Sequence, residues 1–248
     1  MKPGRSCCLL LLLIVAQFAQ AQNPPDCVVL LHGLARSASS MSKLQEALET
    51  EGYRVANVGY PSRVMVIEDL ADIAIPLALE YCDGSPAVNF VTHSMGGILV
   101  RQYLSTNSID NLHRVVMLGP PNQGSEVVDV MREIPGFHFI NGDAGLQLGT
   151  GEKSVPLALP PADFEVGIIA GDSSINLLLS TMIPGEDDGK VSVENTRLEG
   201  MRDHLVVDVS HPLLMRDEDV IAQAIYFLRY GYFNPITRED DSGGLLGQ

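Results

Sequence analysis

Val88–Val100, with the sequence VNFVTHSMGGILV, is the stretch that decides the fold. Its first part is rich in β-branched residues and predicts a buried strand, and its second part has the apolar spacing of a helix. Ser94 lies at the tight turn between them. A sharp strand-to-helix turn that exposes a serine hydroxyl beside a helix N-terminus is called a nucleophile elbow. Its usual pattern is G-x-S-x-G; here Gly96 supplies the second glycine, and Thr92 replaces the first.

A serine at such a turn can also be an ordinary helix N-cap, so the motif needs support from the rest of the chain. A catalytic elbow requires an oxyanion-binding loop upstream, an acid downstream and a histidine after the last strand. These follow the chain order Ser, Asp, His.

The pattern around the elbow predicts an α/β fold with a mostly parallel central sheet and helices on both faces. Short apolar runs, typical of buried parallel strands, alternate with stretches of helical spacing. Pro76 predicts a kink or a boundary in the second helix. The segment 125–164, rich in Gly and Pro, predicts a short, irregular cover rather than a large lid. Besides Val88–Val91, the predicted strands are Cys27–Leu31, Arg54–Val58, Arg114–Leu118, Val166–Ala170 and Leu205–Val209.

The position of the base follows from the sheet, because ligands bind at the carboxyl ends of parallel strands. His211 directly follows the last predicted strand, where the order Ser, Asp, His requires a base. His93 adjoins Ser94 and is expected to point away from its hydroxyl, and His32 is expected to order the loop after the first strand. The remaining histidines precede strands or lie in the cover segment: His113, His204 and His138.

The acid is predicted in the segment 186–191, EDDGKV. Asp188 is followed by a glycine, which lets the chain turn the carboxylate back toward the strand ends. Asp172, directly after a predicted strand, and Asp187 are the alternatives. The acidic cluster also fits a solvated loop or a weak calcium site.

Acyl transfer also needs hydrogen-bond donors for the developing oxyanion. One donor is the N–H that follows the nucleophile, which belongs to Met95. The other is expected from the loop after the first strand, where His32-Gly33-Leu34 offers the N–H of Leu34. Gly33 lets the backbone approach closely. The alternative for this tripeptide is an ordinary turn that ends a strand.

Together these segments resemble the α/β-hydrolase superfamily, in particular its compact secreted lipase and esterase-like branch. The resemblance covers about residues 27–230 and rests on VVLLHGLARSASSM, VNFVTHSMGGILVR, GPPNQGS, DGKVSVENTRLEG and VVDVSHPLLM. It implies Ser94 as the nucleophile, His211 as the base and Asp188 as the acid, with the N–H groups of Leu34 and Met95 as the oxyanion hole.

The resemblance further implies a serine hydrolase that cleaves a small-molecule or lipid ester through an acyl-enzyme, without a metal or another cofactor. An acyltransferase, a thioesterase or an amidase would use the same residues. A catalytically idle α/β-hydrolase domain that only binds a ligand is the alternative from another class. The candidates for an acyl pocket, which fit a core position equally well, are Met41, Phe137, Phe139 and Leu214.

The first residues of the chain predict export. Lys2 and Arg5 precede an unbroken apolar run, Cys7–Ala16, and Ala19-Gln20-Ala21 forms an A-x-A cleavage site. The run is shorter than the ~20 residues of a membrane span, so no stable span is expected. Cleavage near Ala21 would leave a secreted or periplasmic protein. The predicted division is a signal peptide at 1–21, an α/β-hydrolase catalytic domain at 22–234 and a disordered acidic tail at 235–248.

The charge of the chain excludes one class of partner. The 248 residues carry a formal net charge of −15, which becomes −17 without residues 1–21, because that segment holds two basic and no acidic side chains. Such a charge repels phosphate backbones and anionic lipid surfaces. Nucleic acid is therefore not an expected partner.

Two cysteines remain in the predicted domain. Cys27 and Cys82 each precede a predicted strand, and those two strands should be neighbours in the sheet. Export permits a disulfide between them. The alternative is two separate thiols.

Overall fold

A computed structural model describes residues 24–175, 180–181 and 183–235 of the chain. The predicted signal peptide and all but the first residue of the predicted acidic tail lie outside the described residues. Within these ranges, no helix is both long enough and apolar enough to span a bilayer.

A sheet of six parallel strands forms the centre of the described part of the chain. The strand order is β2-β1-β3-β4-β5-β6, so the chain moves outward from β1 in one direction and then crosses over to continue in the other. The predicted parallel sheet is confirmed. The strands are β1 (Cys27–Leu31), β2 (Arg54–Asn57), β3 (Val88–His93), β4 (Leu112–Leu118), β5 (Val166–Gly171) and β6 (Asp203–Val207).

Helices connect the strands and cover the top of the sheet. They are α1 (Ser42–Thr50), α2 (Ile67–Tyr81), α3 (Met95–Leu104), α4 (Glu126–Met131), α5 (Phe137–Leu146), α6 (Val155–Ala158), α7 (Val193–Thr196) and α8 (Glu218–Tyr230). Two short 3₁₀ helices lie at Ala38–Met41 and Leu214–Arg216.

The sheet separates two hydrophobic cores because successive strand side chains point to opposite faces. In β1, Val29 and Leu31 pack with α2 and α3, whereas Val28 and Leu30 pack with α1 and α8. All five residues of β1 are fully buried. A strand covered on both faces must be apolar throughout, and this explains the unbroken run that predicted it.

Pro76 does not end a helix, so of the predicted kink or boundary, the boundary is wrong. Helix α2 runs from Ile67 to Tyr81 with Pro76 inside it. The ring lies on the exposed side of the helix, where water can bond the carbonyl that loses its N–H partner. Burial of Ala74, Ile75 and Ala78 on the opposite side holds the helix together.

The last strand begins and ends two residues earlier than predicted, at Asp203 and Val207. Its bounds are set by pairing with Gly167–Gly171 of β5, and only Leu205 of this edge strand is buried. The apolar run was therefore a poor guide to the pairing. His211 consequently lies in a loop four residues beyond the strand.

The cover segment 125–164 was predicted to be irregular, but it contains the three helices α4, α5 and α6. These helices are short, and α5 is interrupted at Gly142 by non-helical backbone. Short helices with one buried side leave little periodicity to recognise in a sequence.

Cys27 and Cys82 form a disulfide with a Cα–Cα distance of 5.5 Å. Cys27 opens β1, and Cys82 directly follows α2, so the bond ties the start of the sheet to the end of that helix. Both residues are buried.

We expect the double substitution Cys27→Ala/Cys82→Ala to lower the free energy of unfolding by about 4 kcal/mol. The bond closes a loop of 55 residues, and opening it restores conformational entropy to the unfolded chain. Urea unfolding, monitored by circular dichroism, measures the change. Reduction of the wild type should give a similar loss, and an unchanged unfolding midpoint in both experiments would contradict the prediction.

Candidate active site

The turn at Ser94 has the backbone of a nucleophile elbow. Ser94 stands between the end of β3 and the start of α3 with φ 54° and ψ −122°, a conformation that non-glycine residues rarely adopt. Its N–H donates to the carbonyl oxygen of Leu118 at 2.8 Å, which ties the turn to the neighbouring strand β4. The side chain is half-buried and lines a cavity at the carboxyl ends of the strands.

Two glycines follow Met95 in the elbow, and each leaves room for a different neighbour. A Cβ atom at Gly96 would lie 3.0 Å from the carbonyl carbon of Leu31, so α3 can approach β1 only without a side chain there. A Cβ at Gly97 would lie 3.2 Å from the Thr92 hydroxyl oxygen. Gly97 therefore makes the room that Thr92 needs.

His211 and Asp188 form a buried hydrogen-bonded pair. Nδ1 of His211 donates to Oδ2 of Asp188 at 2.6 Å, and the backbone N–H of His211 donates to the carbonyl oxygen of Asp188 at 3.0 Å. The Asp188 side chain is fully buried. Its other oxygen, Oδ1, accepts from the backbone N–H groups of Lys190 and Val191 at 3.0 and 2.9 Å. The first contact orients the ring of His211, and the other three hold the carboxylate and the backbone on which that contact depends.

Gly119 makes space for this pair. It follows β4 with φ +56°, and a Cβ atom there would lie 3.1 Å from both Asp188 Oδ2 and His211 Nδ1. The sequence contains the glycine, but no local pattern connects it with Asp188 and His211.

The two alternative acids face elsewhere. Asp187 accepts from the hydroxyl of Ser180 at 2.8 Å and from the N–H of Gly189 at 2.7 Å. Partial burial and the charges of Asp208 and Glu186 raise the pKa of Asp172. The structure thus brings Asp188, and neither alternative, into contact with His211.

The loop after β1 approaches Ser94 closely at Gly33. A Cβ atom at Gly33 would lie 3.1 Å from Cβ of Ser94 and 2.9 Å from Nδ1 of His93. The next residue, Leu34, lines the same cavity as Ser94. Among the described residues, the backbone N–H groups of Leu34 and Met95 have no hydrogen-bond partner. Two unpaired donors beside a serine suit an oxyanion.

Several contacts fix this loop. His32 is buried and donates from Nδ1 to the carbonyl oxygen of Gly33 at 2.9 Å. Its ring stacks on Tyr60 with 4.0 Å between centroids, and the Tyr60 hydroxyl donates to the His32 carbonyl oxygen. The N–H of Ala35, itself at φ 54°, donates to the hydroxyl of Ser62 at 3.1 Å. His32, Tyr60 and Ser62 thus restrain the loop through these contacts.

We expect Gly33→Ala to lower kcat by about a hundredfold, since the added methyl must push the Leu34 N–H away from the oxyanion position. Steady-state hydrolysis of a short p-nitrophenyl ester measures it. Gly59→Ala is the matched control, because a Cβ there would meet only Ala38, at 3.9 Å. Equal rates for the two variants would show that the methyl at position 33 is harmless.

His93 has a positioning role that the sequence did not reveal. It is buried, and its Nε2 donates to the carbonyl oxygen of His211 at 2.9 Å, with the two rings 4.8 Å apart. Burial, followed by the nearby His211, lowers the pKa of His93 well below its ordinary value of 6.5. His93 is therefore neutral, and its hydrogen bond holds the loop that carries His211.

We expect protonation of His93 to oppose folding at low pH. The pKa of His93 is lower in the folded protein than in the unfolded chain. As the pH falls below 6.5, the unfolded chain therefore takes up a proton that the folded protein does not, and the free energy of unfolding decreases. Relative to pH 7.5, this one group should cost on the order of 1 kcal/mol at pH 5.5. Urea unfolding at both pH values should show a smaller pH dependence for His93→Gln than for wild type. An identical dependence would contradict the assignment.

A cavity of about 480 Å³ opens over Ser94 and His211. One wall is apolar and comes from α4, α5 and the chain between them. Of the four residues considered for an acyl pocket, Phe137 alone lines this cavity; Met41 and Leu214 are buried in the core, and Phe139 is 91% exposed. The main apolar lining residues are Val127, Val128, Met131, Ile134, Phe137 and Ile140.

Within the described ranges, no three His, Cys, Asp or Glu side chains are placed to hold a metal ion. The acidic segment 186–188 instead directs Asp188 to a histidine and Asp187 to a serine and a backbone amide.

The parallel sheet covered by helices on both faces, with the strand–serine–helix turn, is the α/β-hydrolase fold, and this architecture confirms the predicted one. No protein-family model and no curated protein sequence matches the chain. Among solved structures, the mature lipase BlEst2 of Bacillus licheniformis superposes with a TM-score of 0.64 and 22% identity, over 83% of this chain and 92% of that one.

Two further α/β structures of metagenomic origin are similar. The carboxyl esterase MGS0156 gives a TM-score of 0.62 at 17% identity, over 78% of this chain and 66% of that one. A structure described with the lipolytic enzymes LipS and LipT gives 0.61 at 15% identity, over 84% and 94%. At these identities the likeness establishes the fold, and the activity must be argued from the residues of this chain.

Proposed function

We propose that the protein is a serine hydrolase that cleaves carboxylic esters through an acyl-enzyme on Ser94. The observation that carries this is the convergence of three segments on one cavity. The strained Ser94 turn and His211 both line the cavity, and His211 is held by Asp188 at 2.6 Å. The similarity in fold to a lipase and a carboxyl esterase supports the same class of reaction.

In the proposed mechanism, His211 takes the proton of the Ser94 hydroxyl as the oxygen attacks the ester carbonyl. The negative charge that forms on the carbonyl oxygen is stabilised by the N–H groups of Leu34 and Met95. Asp188 stabilises the imidazolium. His211 then gives the proton to the leaving alcohol, and water, activated by the same base, hydrolyses the acyl-enzyme. The apolar wall suits the acyl chain of the ester.

The experiment that tests this proposal is labelling with a fluorophosphonate, followed by peptide mass spectrometry. We expect modification of the folded protein at Ser94, because only an activated serine attacks the phosphorus at a useful rate. Rates for p-nitrophenyl esters of rising acyl chain length would then define the preferred acyl group. Added alcohols would reveal transfer to an acceptor other than water. A folded protein that neither reacts nor hydrolyses any ester would refute the proposal and favour a binding domain.

We also propose that the protein is exported. The support is the basic start, the apolar run and the A-x-A site in residues 1–21, together with a disulfide, which persists in oxidising compartments. Expression of the full chain in a bacterial host and N-terminal sequencing of the periplasmic or extracellular protein should give a first residue near Gln22. Full-length protein retained in the cytoplasm would contradict export.

A further inference from the structure

The cavity over Ser94 has two cations at its rim, in a chain with a net charge of −15. Arg36 belongs to the loop that carries Leu34, and Lys190 belongs to the loop that carries Asp188. Both side chains line the cavity and are exposed. No acidic residue lies among the lining residues of this cavity in the described part of the chain. The cavity is therefore locally basic although the protein is acidic.

Neither cation is neutralised by an ion pair. In the described ranges, six arginine and lysine residues pair with carboxylates, as Lys43 does with Glu218, whereas Arg36 and Lys190 form no salt bridge there. Asp188 is the carboxylate whose charge stabilises protonated Lys190, but its side chain is already hydrogen-bonded to His211. Both cations are thus available to a ligand.

The two cations also act on each other. Partial removal from water at the cavity mouth lowers the pKa of the Lys190 amine, the charge of Asp188 raises it, and the charge of Arg36 lowers it further. Two like charges held within electrostatic range repel each other, and an anion between them removes that repulsion.

The backbones that carry the cations are fixed. The N–H of Arg36 donates to the carbonyl oxygen of Gly33 at 3.3 Å. The N–H of Lys190 donates to Asp188 at 3.0 Å, and the carbonyl oxygen of Lys190 accepts from the hydroxyl of Ser125 at 2.7 Å. Anchored backbones limit the entropy lost when an anion is bound.

We propose that Arg36 and Lys190 form a subsite for an anionic group, a phosphate or a carboxylate, on the alcohol portion of the ester. This proposal rests on the proposed esterase function. The acyl chain lies against the apolar wall of α4 and α5. The leaving alcohol must lie where His211 can return its proton, and His211 is bonded to Asp188, two residues before Lys190. The anion therefore belongs to the alcohol portion, and the substrate class is an acyl ester of an anionic alcohol.

Matched pairs of esters test the subsite. The phosphate arm compares 1-octanoylglycerol 3-phosphate with 1-octanoylglycerol, and the carboxylate arm compares O-octanoylglycolate with its amide, all below their micellar concentrations. The readout is the ratio of kcat/KM for the anionic ester to that for the neutral ester. We expect a ratio on the order of tenfold or more in wild type, larger in the arm whose anion is the natural one. Added salt should lower it.

Charge-removing variants assign that ratio to the two cations. In Arg36→Gln/Lys190→Gln we expect the ratio to fall to near one, with intermediate values in the single variants. Lys43→Gln removes a cation on α1 and should keep the wild-type ratio. Circular dichroism verifies folding. A wild-type ratio near or below one in both arms, or an unchanged ratio in the double variant, would overturn the subsite.

A binding measurement separates failure of the subsite from failure of the esterase function. Calorimetric titration of Ser94→Ala with hexyl phosphate, heptanoate and hexanol needs no turnover. We expect at least one anion to bind about tenfold more tightly than hexanol, and the difference to vanish when Arg36→Gln and Lys190→Gln are added. Anion binding without ester hydrolysis would refute the esterase function and support the anion subsite. Ester hydrolysis without a preference for anions would support the esterase function and refute the subsite.

Discussion

Ser94→Ala is expected to lower kcat for ester hydrolysis by on the order of 10⁵-fold or more, the loss typical of a removed serine nucleophile. Without the hydroxyl, no acyl-enzyme can form, and only direct attack by water at the bound ester remains. The strained backbone at φ 54° holds the side chain at the cavity, and Val88–Val100 contains no second serine. Steady-state rates with a short p-nitrophenyl ester measure the loss.

Folding should survive this substitution, because the Ser94 hydroxyl caps no helix and only its backbone N–H is tied to Leu118. The variant keeps the backbone hydrogen bond and has no hydroxyl to remove from water. Its melting temperature should therefore stay close to that of wild type. Ser105→Ala, at the exposed end of α3, is the matched control and should keep the wild-type rate. A Ser94→Ala protein that still hydrolyses esters at the wild-type rate would remove Ser94 from the mechanism.

The second large effect is expected for Asp188→Asn, which should lower kcat by about 10⁴-fold. The side-chain oxygen of the asparagine can still accept from the N–H groups of Lys190 and Val191, as Oδ1 of Asp188 does. Its amide nitrogen then takes the place of Oδ2 and donates to Nδ1 of His211. Nδ1 must then be unprotonated, so Nε2 carries the proton and cannot accept the one from Ser94.

Two neighbouring acids provide controls for this experiment. Asp172→Asn removes the other acid that follows a strand, and Asp187→Asn removes the preceding carboxylate, which bonds Ser180 and Gly189. Both variants should retain most of the wild-type rate, although Asp187→Asn should be somewhat less stable because that side chain is buried. If Asp172→Asn were the slowest of the three, the acid would be Asp172 and the hydrogen bond at 2.6 Å would be only structural.

The strand–turn–helix at Ser94 and the order of the elements could be predicted because both depend on local sequence. A strand buried on both faces must be apolar, as β1 is, and an elbow needs small residues after the serine, as Gly96 and Gly97 show. Where local pattern misled, tertiary contacts had overridden it. Burial of one face carried α2 through Pro76, and pairing with β5 moved β6 by two residues.

The sequence by itself therefore determined the parallel α/β sheet, the position of the serine turn and a short set of candidate acids and bases. Only the tertiary structure decided which acid meets His211, that Cys27 and Cys82 pair, and that Arg36 and Lys190 share a cavity with Ser94. The reason is distance along the chain. Helical and strand periodicity act over a few residues, whereas His93 and His211 are 118 residues apart, and their contact exists only once the sheet brings the strand ends together.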